Sequence, residues 1–320
     1  MQKLILKLLY VIAAVNYPRL RHDLRYFVRD NYFARINQLR FLGRDYGRKQ
    51  PYKVIEYRGE FDQELRYVLP FAYWHFLNGT LKQTIGCTNT KPFYFFSPSH
   101  LEKYDKRVWQ TGYGYYDVPN MTHSPTFDYS KWARVPFREH YRNDQFMYLK
   151  PTLVIANKYN MEWDGPPVNF LPVDVLGQII TACRDRYQIV YNRPLATQIV
   201  GDNSETLDLH EHAWLRQHHP DVLLMNDLYG QHRESVENYN QFQLMVYANC
   251  SYFISMHGGT AALASYFGGT NIILSKPGGG KEHDFNEYET IFPALSGATI
   301  LHAKTPDEVV GYVRKVFCAG

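Results

Sequence analysis

What this sequence lacks narrows its reading first. Cysteine is scarce: Cys87, Cys183, Cys250 and Cys318 are the only four in 320 residues. They are widely spaced and form no C-x-x-C, which argues against a disulfide framework or zinc knuckle and for reduced thiols. There is no G-x-G-x-x-G and no G-x-S-x-G, so nicotinamide, flavin and serine-hydrolase chemistry have little support. "GGGK" at 278–281 is not a P-loop, because Ser275 stands where the first glycine belongs and Glu282 follows the lysine. "HEHAW" at 210–214 puts Trp214 where a zinc-binding H-E-x-x-H needs its second histidine. No internal repeat or low-complexity tract is visible. The apolar run Leu8–Val15 is too short to span a bilayer.

What is present suits an enzyme-sized globular protein. Hydrophobic residues make up 45% and aromatics 16%, ample for a core. The net charge of +4 is unevenly placed: residues 1–50 carry 11 Lys/Arg against three Asp, so the remainder is mildly acidic. This opening segment mixes Leu, Ile, Val, Tyr and Phe with Lys and Arg, which fits an amphipathic helical arm at an anionic lipid surface. A packed helix with a basic outer face, a signal peptide ending near "VIAAVNY", and nucleic-acid contact are the alternatives.

Three regions are expected: the basic arm 1–50, an α/β domain 51–150 and a second α/β domain 151–320. In the middle region "YKVIEYRG" (52–59) reads as a strand, "EFDQELRYVLPFAYWHFLNGT" (60–80) as a helix despite Pro70, and "FYFFS" (93–97) as a buried strand. Residues 98–150 read as loops and short elements leading to a domain junction near 150. After 150, short apolar strands begin at about 152, 188, 221, 252, 270 and 298, with amphipathic helices in most of the gaps. That pattern predicts a parallel, doubly wound sheet covered on both faces. "TPDE" at 305–308 is a helix start, with Thr as N-cap and Pro at the first position.

The stretch "FISMHGGTAALASYFGGTNIIL" (253–274) carries the strongest functional signal. In a parallel α/β domain ligands sit beyond the carboxyl ends of the strands. His257, Gly258, Gly259 and Thr260 fall at such an end. The glycines permit a sharp turn and close approach, and the next helix begins with unpaired N–H groups. A diphosphate cradle is expected. The competing reading is a tight strand–helix turn around a satisfied buried histidine.

The segment "ENYNQFQLMVYANCSYFISMHGGTAALASYFGGTNIILSKPG" (237–278) resembles the donor-binding domain of GT-B-fold glycosyltransferases of surface-polysaccharide type. "VGDNSETLDL" (200–209) resembles a stretch upstream of it in such proteins. The resemblance covers roughly 150–320. It implies two Rossmann-like domains facing a cleft, a UDP- or GDP-sugar donor as substrate, no cofactor, and a hexosyl- or deoxyhexosyl-transferase making surface glycan at the cytoplasmic membrane face. The acceptor would be a glycan or lipid-linked sugar.

Sugar transfer needs the leaving diphosphate neutralised and the acceptor hydroxyl deprotonated. No Asp-x-Asp occurs, which favours a metal-independent route through amides and basic side chains. Arg193 and Lys158, at predicted strand ends, are the expected phosphate ligands, with Lys276 a weaker third. Glu282 and Asp284 are candidates for ribose or sugar hydroxyls. A general base for an inverting reaction is sought at Asp62 or Glu60, with His257 as a rival. The alternative function is a non-catalytic α/β protein that binds nucleotide or glycan, or nucleic acid through the arm.

Overall fold

A computed structural model describes residues 2–109, 117–162, 165–195, 198–201, 204–277 and 287–318. The chain divides into two compact units, Met1–Arg134 with Gly280–Glu287, and Val135–Gly279 with Tyr288–Gly320. The division falls ahead of the junction expected near 150, and the basic opening helices belong to the first unit.

The first unit opens with a helical hairpin, α1 (Gln2–Asn16) and α2 (Arg25–Leu39). Strand β1 (Lys53–Glu56) leads into α3 (Phe61–Gln63), a wide turn over Glu64–Val68 and α4 (Leu69–Leu77). The wide turn explains how helix passes Pro70. The Leu69 N–H reaches the Glu64 carbonyl five residues back, and proline then sits in the first turn of α4, where its missing N–H costs little. Strands β2 (Leu81–Cys87) and β3 (His100–Tyr104) complete a parallel sheet, β1-β2-β3.

Here the strand expected at 93–97 is corrected. Pro92 starts a 3₁₀ turn over Lys91–Tyr94, and Phe93, Tyr94 and Phe96 pack into the core as turn residues. The real strands are more polar than pattern reading expects. Buried Thr84 of β2 is satisfied by Ser97 Oγ and His100 Nδ1, each at 2.8 Å.

The second unit begins with α5 (Phe137–Tyr141), β4 (Thr152–Ala156), β5 (Asn160–Glu162), α6 (Val173–Cys183) and β6 (Gln188–Asn192). There follow β7 (Ser204–Thr206), which pairs antiparallel with β5, then α7 (Glu211–His218), β8 (Leu223–Leu224), α8 (Met225–His232) and α9 (Tyr239–Ala248). The chain closes through β9 (Tyr252–Met256), α10 (Gly259–Ser265), β10 (Thr270–Leu274), α11 (Phe292–Ser296), β11 (Thr299–Ala303) and α12 (Pro306–Tyr312). The strand expected at 221–227 shrinks to two residues, because the chain turns into α8 at Met225.

Six strands form one parallel sheet in the order β11-β10-β9-β4-β6-β8. This is the doubly wound order, with a reversal between β4 and β9. All five residues of β4 are buried, and Val175, Leu176, Ile179 and Ile180 of α6 pack on the sheet with Val309 and Val310 of α12. Each such aliphatic side chain removed from water contributes roughly 1.5–3 kcal/mol.

Two local devices fix the ends of the elements. Gly269 has φ +71°, and a Cβ there would lie 2.0 Å from the Ser251 carbonyl oxygen, so only glycine joins α10 to β10. Arg138, from α5, donates to the carbonyls of Phe267 (2.6 Å), Ala248 (3.2 Å) and Cys250, covering acceptors that α9 and α10 leave open at their ends.

Candidate active site

The strand-order reversal places the carboxyl ends of β4 and β9 side by side. The first residue after each central strand is polar: Asn157 follows β4, Arg193 follows β6, His257 follows β9 and Ser275 follows β10. Their strands are mostly apolar and buried, and the buried Ser255 hydroxyl donates to Asn271 within the sheet at 2.8 Å.

After β9 the backbone turns at Gly258, with φ 103° and ψ −149°, a conformation open to glycine and strained for other residues. Among the described residues, the amides of Gly258, Gly259, Thr260 and Ala261 donate to no acceptor. The Thr260 hydroxyl donates back to the Met256 carbonyl, which closes the turn. Helix α10 has only seven residues, so its aligned peptide dipoles add less than the sequence reading assumed. The charge comes from Lys158, whose Nζ lies 3.5 Å from where a Cβ on Gly258 would sit. The topology thus brings together His257, Gly258, Gly259, Thr260 and Lys158.

Lys158 is placed by a buried polar chain that sequence reasoning missed. Asn157 Oδ1 accepts from the amides of Lys158 and Leu171, each at 3.0 Å. Asn157 Nδ2 donates to the Tyr191 hydroxyl at 3.1 Å, and that hydroxyl donates to Glu211 Oε1 at 3.1 Å. Burial, and then the Glu211 charge, push the Tyr191 hydroxyl well above its usual range, so it stays a donor.

Arg193, expected as a phosphate ligand, is engaged inside the protein. Its guanidinium is buried and closes on Glu211 through Nε and through Nη2 at 3.0 Å, while Nη1 donates to the Leu207 carbonyl at 3.1 Å. The partner, Glu211, opens the helix "EHAW" and was read only as part of a failed metal motif. Lys276 lies with its Nζ 4.9 Å from the centre of the Phe170 ring, and burial lowers its pKa. Glu282 and Asp284 lie outside the described residues.

His257 is buried and oriented. Ser275 Oγ lies 2.6 Å and the Tyr288 hydroxyl 3.0 Å from its Nδ1. Both hydroxyls are within hydrogen-bond reach of that nitrogen, and the ring tautomer decides which group donates. Tyr288 stacks flat on His302, with ring centres 4.1 Å apart, and burial pushes the His302 ring below its usual pKa. Ser275 was findable as the residue after β10. Tyr288 was not, since no apolar periodicity in the sequence leads up to it.

In the first unit, Glu60 and Asp62 follow β1 as expected. The Glu60 carbonyl accepts from the Tyr57 hydroxyl at 3.1 Å. Asp62 pairs through Oδ2 with Arg66, one helical turn on, and Arg66 also meets Glu287. The other carboxylate oxygen, Asp62 Oδ1, is buried and bonded to nothing among the described residues.

No known family profile matches the chain. No curated protein matches it. Solved structures do. E. coli ADP-heptose lipopolysaccharide heptosyltransferase II superposes with a TM-score of 0.50 at 10% identity, over 82% of this chain and 98% of that one. A glycosyl transferase family 9 protein from Veillonella parvula superposes with a TM-score of 0.47 at 9% identity, over 84% and 91%. At such identity the first of these likenesses establishes the fold. The chain is a GT-B-like α/β protein, and its second unit is a parallel doubly wound sheet.

Proposed function

We propose that this protein is a glycosyltransferase that moves a sugar from a nucleotide-diphosphate donor to a hydroxyl of a glycan or lipid-linked acceptor. One observation carries the reading: the amides of Gly258 to Ala261, which donate to no acceptor among the described residues, beside the Lys158 ammonium at the strand-order reversal of a doubly wound sheet. Amides and a lysine together suit a diphosphate, whose oxygens accept hydrogen bonds and whose charge grows as it leaves.

In the proposed step the acceptor oxygen bonds to the anomeric carbon while the bond from that carbon to the diphosphate oxygen breaks. The bonding pair leaves with the diphosphate, where Lys158 and the amides take up the charge. A carboxylate takes the acceptor's proton, Asp62 and Glu60 being the candidates from sequence, and attack from the face opposite the leaving group inverts configuration. Arg193 positions Glu211 and, through Tyr191 and Asn157, the backbone of Lys158. As written, the step needs no metal. A hexosyl or deoxyhexosyl group on UDP or GDP was the expectation from sequence. The fold likeness adds ADP-heptose to the donors to be tried, since that sugar nucleotide names the E. coli protein.

The test is a thermal-shift screen of UDP, GDP, ADP and their sugars, followed by transfer assays. Lys158→Met should weaken diphosphate binding about 10–100-fold, as expected for one lost charge-assisted hydrogen bond. Asp62→Asn should keep nucleotide binding and lower kcat about 10²–10⁴-fold. If no nucleotide stabilises the fold, the proposal fails at the cradle. If nucleotides bind but no sugar is transferred, and Asp62→Asn changes nothing, the protein binds without catalysing.

A further inference from the structure

Helix α1 has two apolar faces, and only one of them is used. Leu9 and Ala13 are buried against α2, and Ile5, Leu6 and Tyr10 are partly covered on the same side. The hairpin is tied from within: Tyr10 packs on Tyr26 with ring centres 4.8 Å apart, and Asn16 Nδ2 donates to the Tyr32 hydroxyl at 3.2 Å. Arg25 closes the connection by donating to the carbonyls of Leu20 (2.9 Å) and Pro18 (2.7 Å). None of this involves the opposite face.

On that face Leu4, Leu8, Val11, Ile12 and Val15 stand in water, Leu4 and Val15 each at 72% exposure. At roughly 100° per residue these five positions fall within an arc about 100° wide. A soluble helix normally turns charge outward there. Single exposed leucines are ordinary, but five in register form a patch that calls for an occupant.

The charges around the patch select the occupant. Helix α1 has no acidic residue, Lys3 and Lys7 lie along one edge of the apolar arc, and Arg19 and Arg21 are exposed in the connection to α2. The whole of residues 1–50 carries eight more positive than negative charges. A second copy docked on this face would bring the same excess against itself. An anionic bilayer surface offers hydrocarbon for the leucines and phosphate charge for the lysines. No helix among the described residues is long and apolar enough to cross a membrane. We propose that α1 lies flat in the interface of an anionic lipid bilayer, with Leu4, Leu8, Val11, Ile12 and Val15 inserted and Lys3 and Lys7 on the headgroups.

This inference does not depend on the proposed activity, and its test needs no sugar. The full chain is sedimented with phosphatidylglycerol vesicles and with phosphatidylcholine vesicles, at low and high salt. Wild type should bind the anionic vesicles and release them at high salt. The L4Q/L8Q/V15Q variant, altered only at exposed positions, should melt as wild type and partition at least about tenfold less. Each of K3Q and K7Q should lower partitioning on anionic vesicles about fivefold and leave phosphatidylcholine unchanged. Tryptophan emission from a Val11→Trp variant should shift to the blue on anionic vesicles. The proposal is overturned if wild type ignores anionic vesicles at low salt, or if the apolar-face variant binds them undiminished. It also falls if wild type is a dimer that this variant splits and neither binds lipid, since the occupant is then a second copy.

Discussion

The two units of this chain are held together by different means. The second is stabilised by apolar area: β4, β9 and β10 run through a core of aliphatic and aromatic side chains, and its main buried ion pair, Arg193 with Glu211, lies at a strand end. The first buries charge throughout. Lys53 meets Asp117, Lys131 meets Asp45, Arg107 meets Glu64, and Arg66 meets Asp62 and Glu287, with most of these groups almost wholly out of water. A buried pair does little better than a well-packed apolar pair would, yet losing one partner strands the other. The first unit should therefore fail through single mismatches, and the second through loss of packing.

The largest test of that contrast is Arg107→Met. It takes the partner at 2.6 Å from Glu64, which is fully buried and also accepts from Tyr94 at 2.7 Å. Urea denaturation should show a loss of about 3–5 kcal/mol. A cost no larger than that of Ile254→Val in the second unit, about 0.5–1.5 kcal/mol, would erase the distinction.

Acid should act next, again on the first unit. His75 is buried, with Nδ1 2.7 Å from Thr80 Oγ1 and no partner on Nε2 among the described residues. Burial first, then the charges of Lys53 and Lys131, push its pKa down to about 2. The unfolded chain takes up this proton near pH 6.5 while the folded chain does not. Stability is therefore complete above that pH and falls as acid is added. By pH 5 the loss should be about 2 kcal/mol. Melting curves across this range should flatten in His75→Gln.

The smallest effect belongs to the second unit. Thr305 caps α12 by accepting from the Glu308 amide at 3.2 Å, and Thr305→Ala should cost about 1 kcal/mol at any pH from 5 to 8. A pH-dependent cost there would mean that the two units do not differ as described.

The same difference explains what could be read from the residues alone. The doubly wound sheet was legible because its strands are short apolar runs such as "TLVIA" and "TNIIL", and apolar burial is what hydrophobic pattern reports. In the first unit β2 was invisible, since Lys82, Gln83 and Thr84 break the run and Thr84 is satisfied by partners distant in sequence. "FYFFS" misled for the converse reason: its rings are buried, but Pro92 sets a turn. Within the candidate site, the positions of the His-Gly-Gly turn and Lys158 just past strand ends were legible from the apolar runs before them. The role of Arg193 was not, because it depends on Glu211, 18 residues away, and pairing across that distance leaves no periodic trace.

Arg138 has a practical consequence for anyone trimming this protein. One guanidinium from the short α5 serves three carbonyls between Ala248 and Phe267, more than a hundred residues downstream. A shortened gene meant to yield the six-stranded half by itself would have to start upstream of that arginine. Begun at the first strand instead, the product would expose bare acceptors at two helix tails, and low yield would be the first sign that the cut was misplaced.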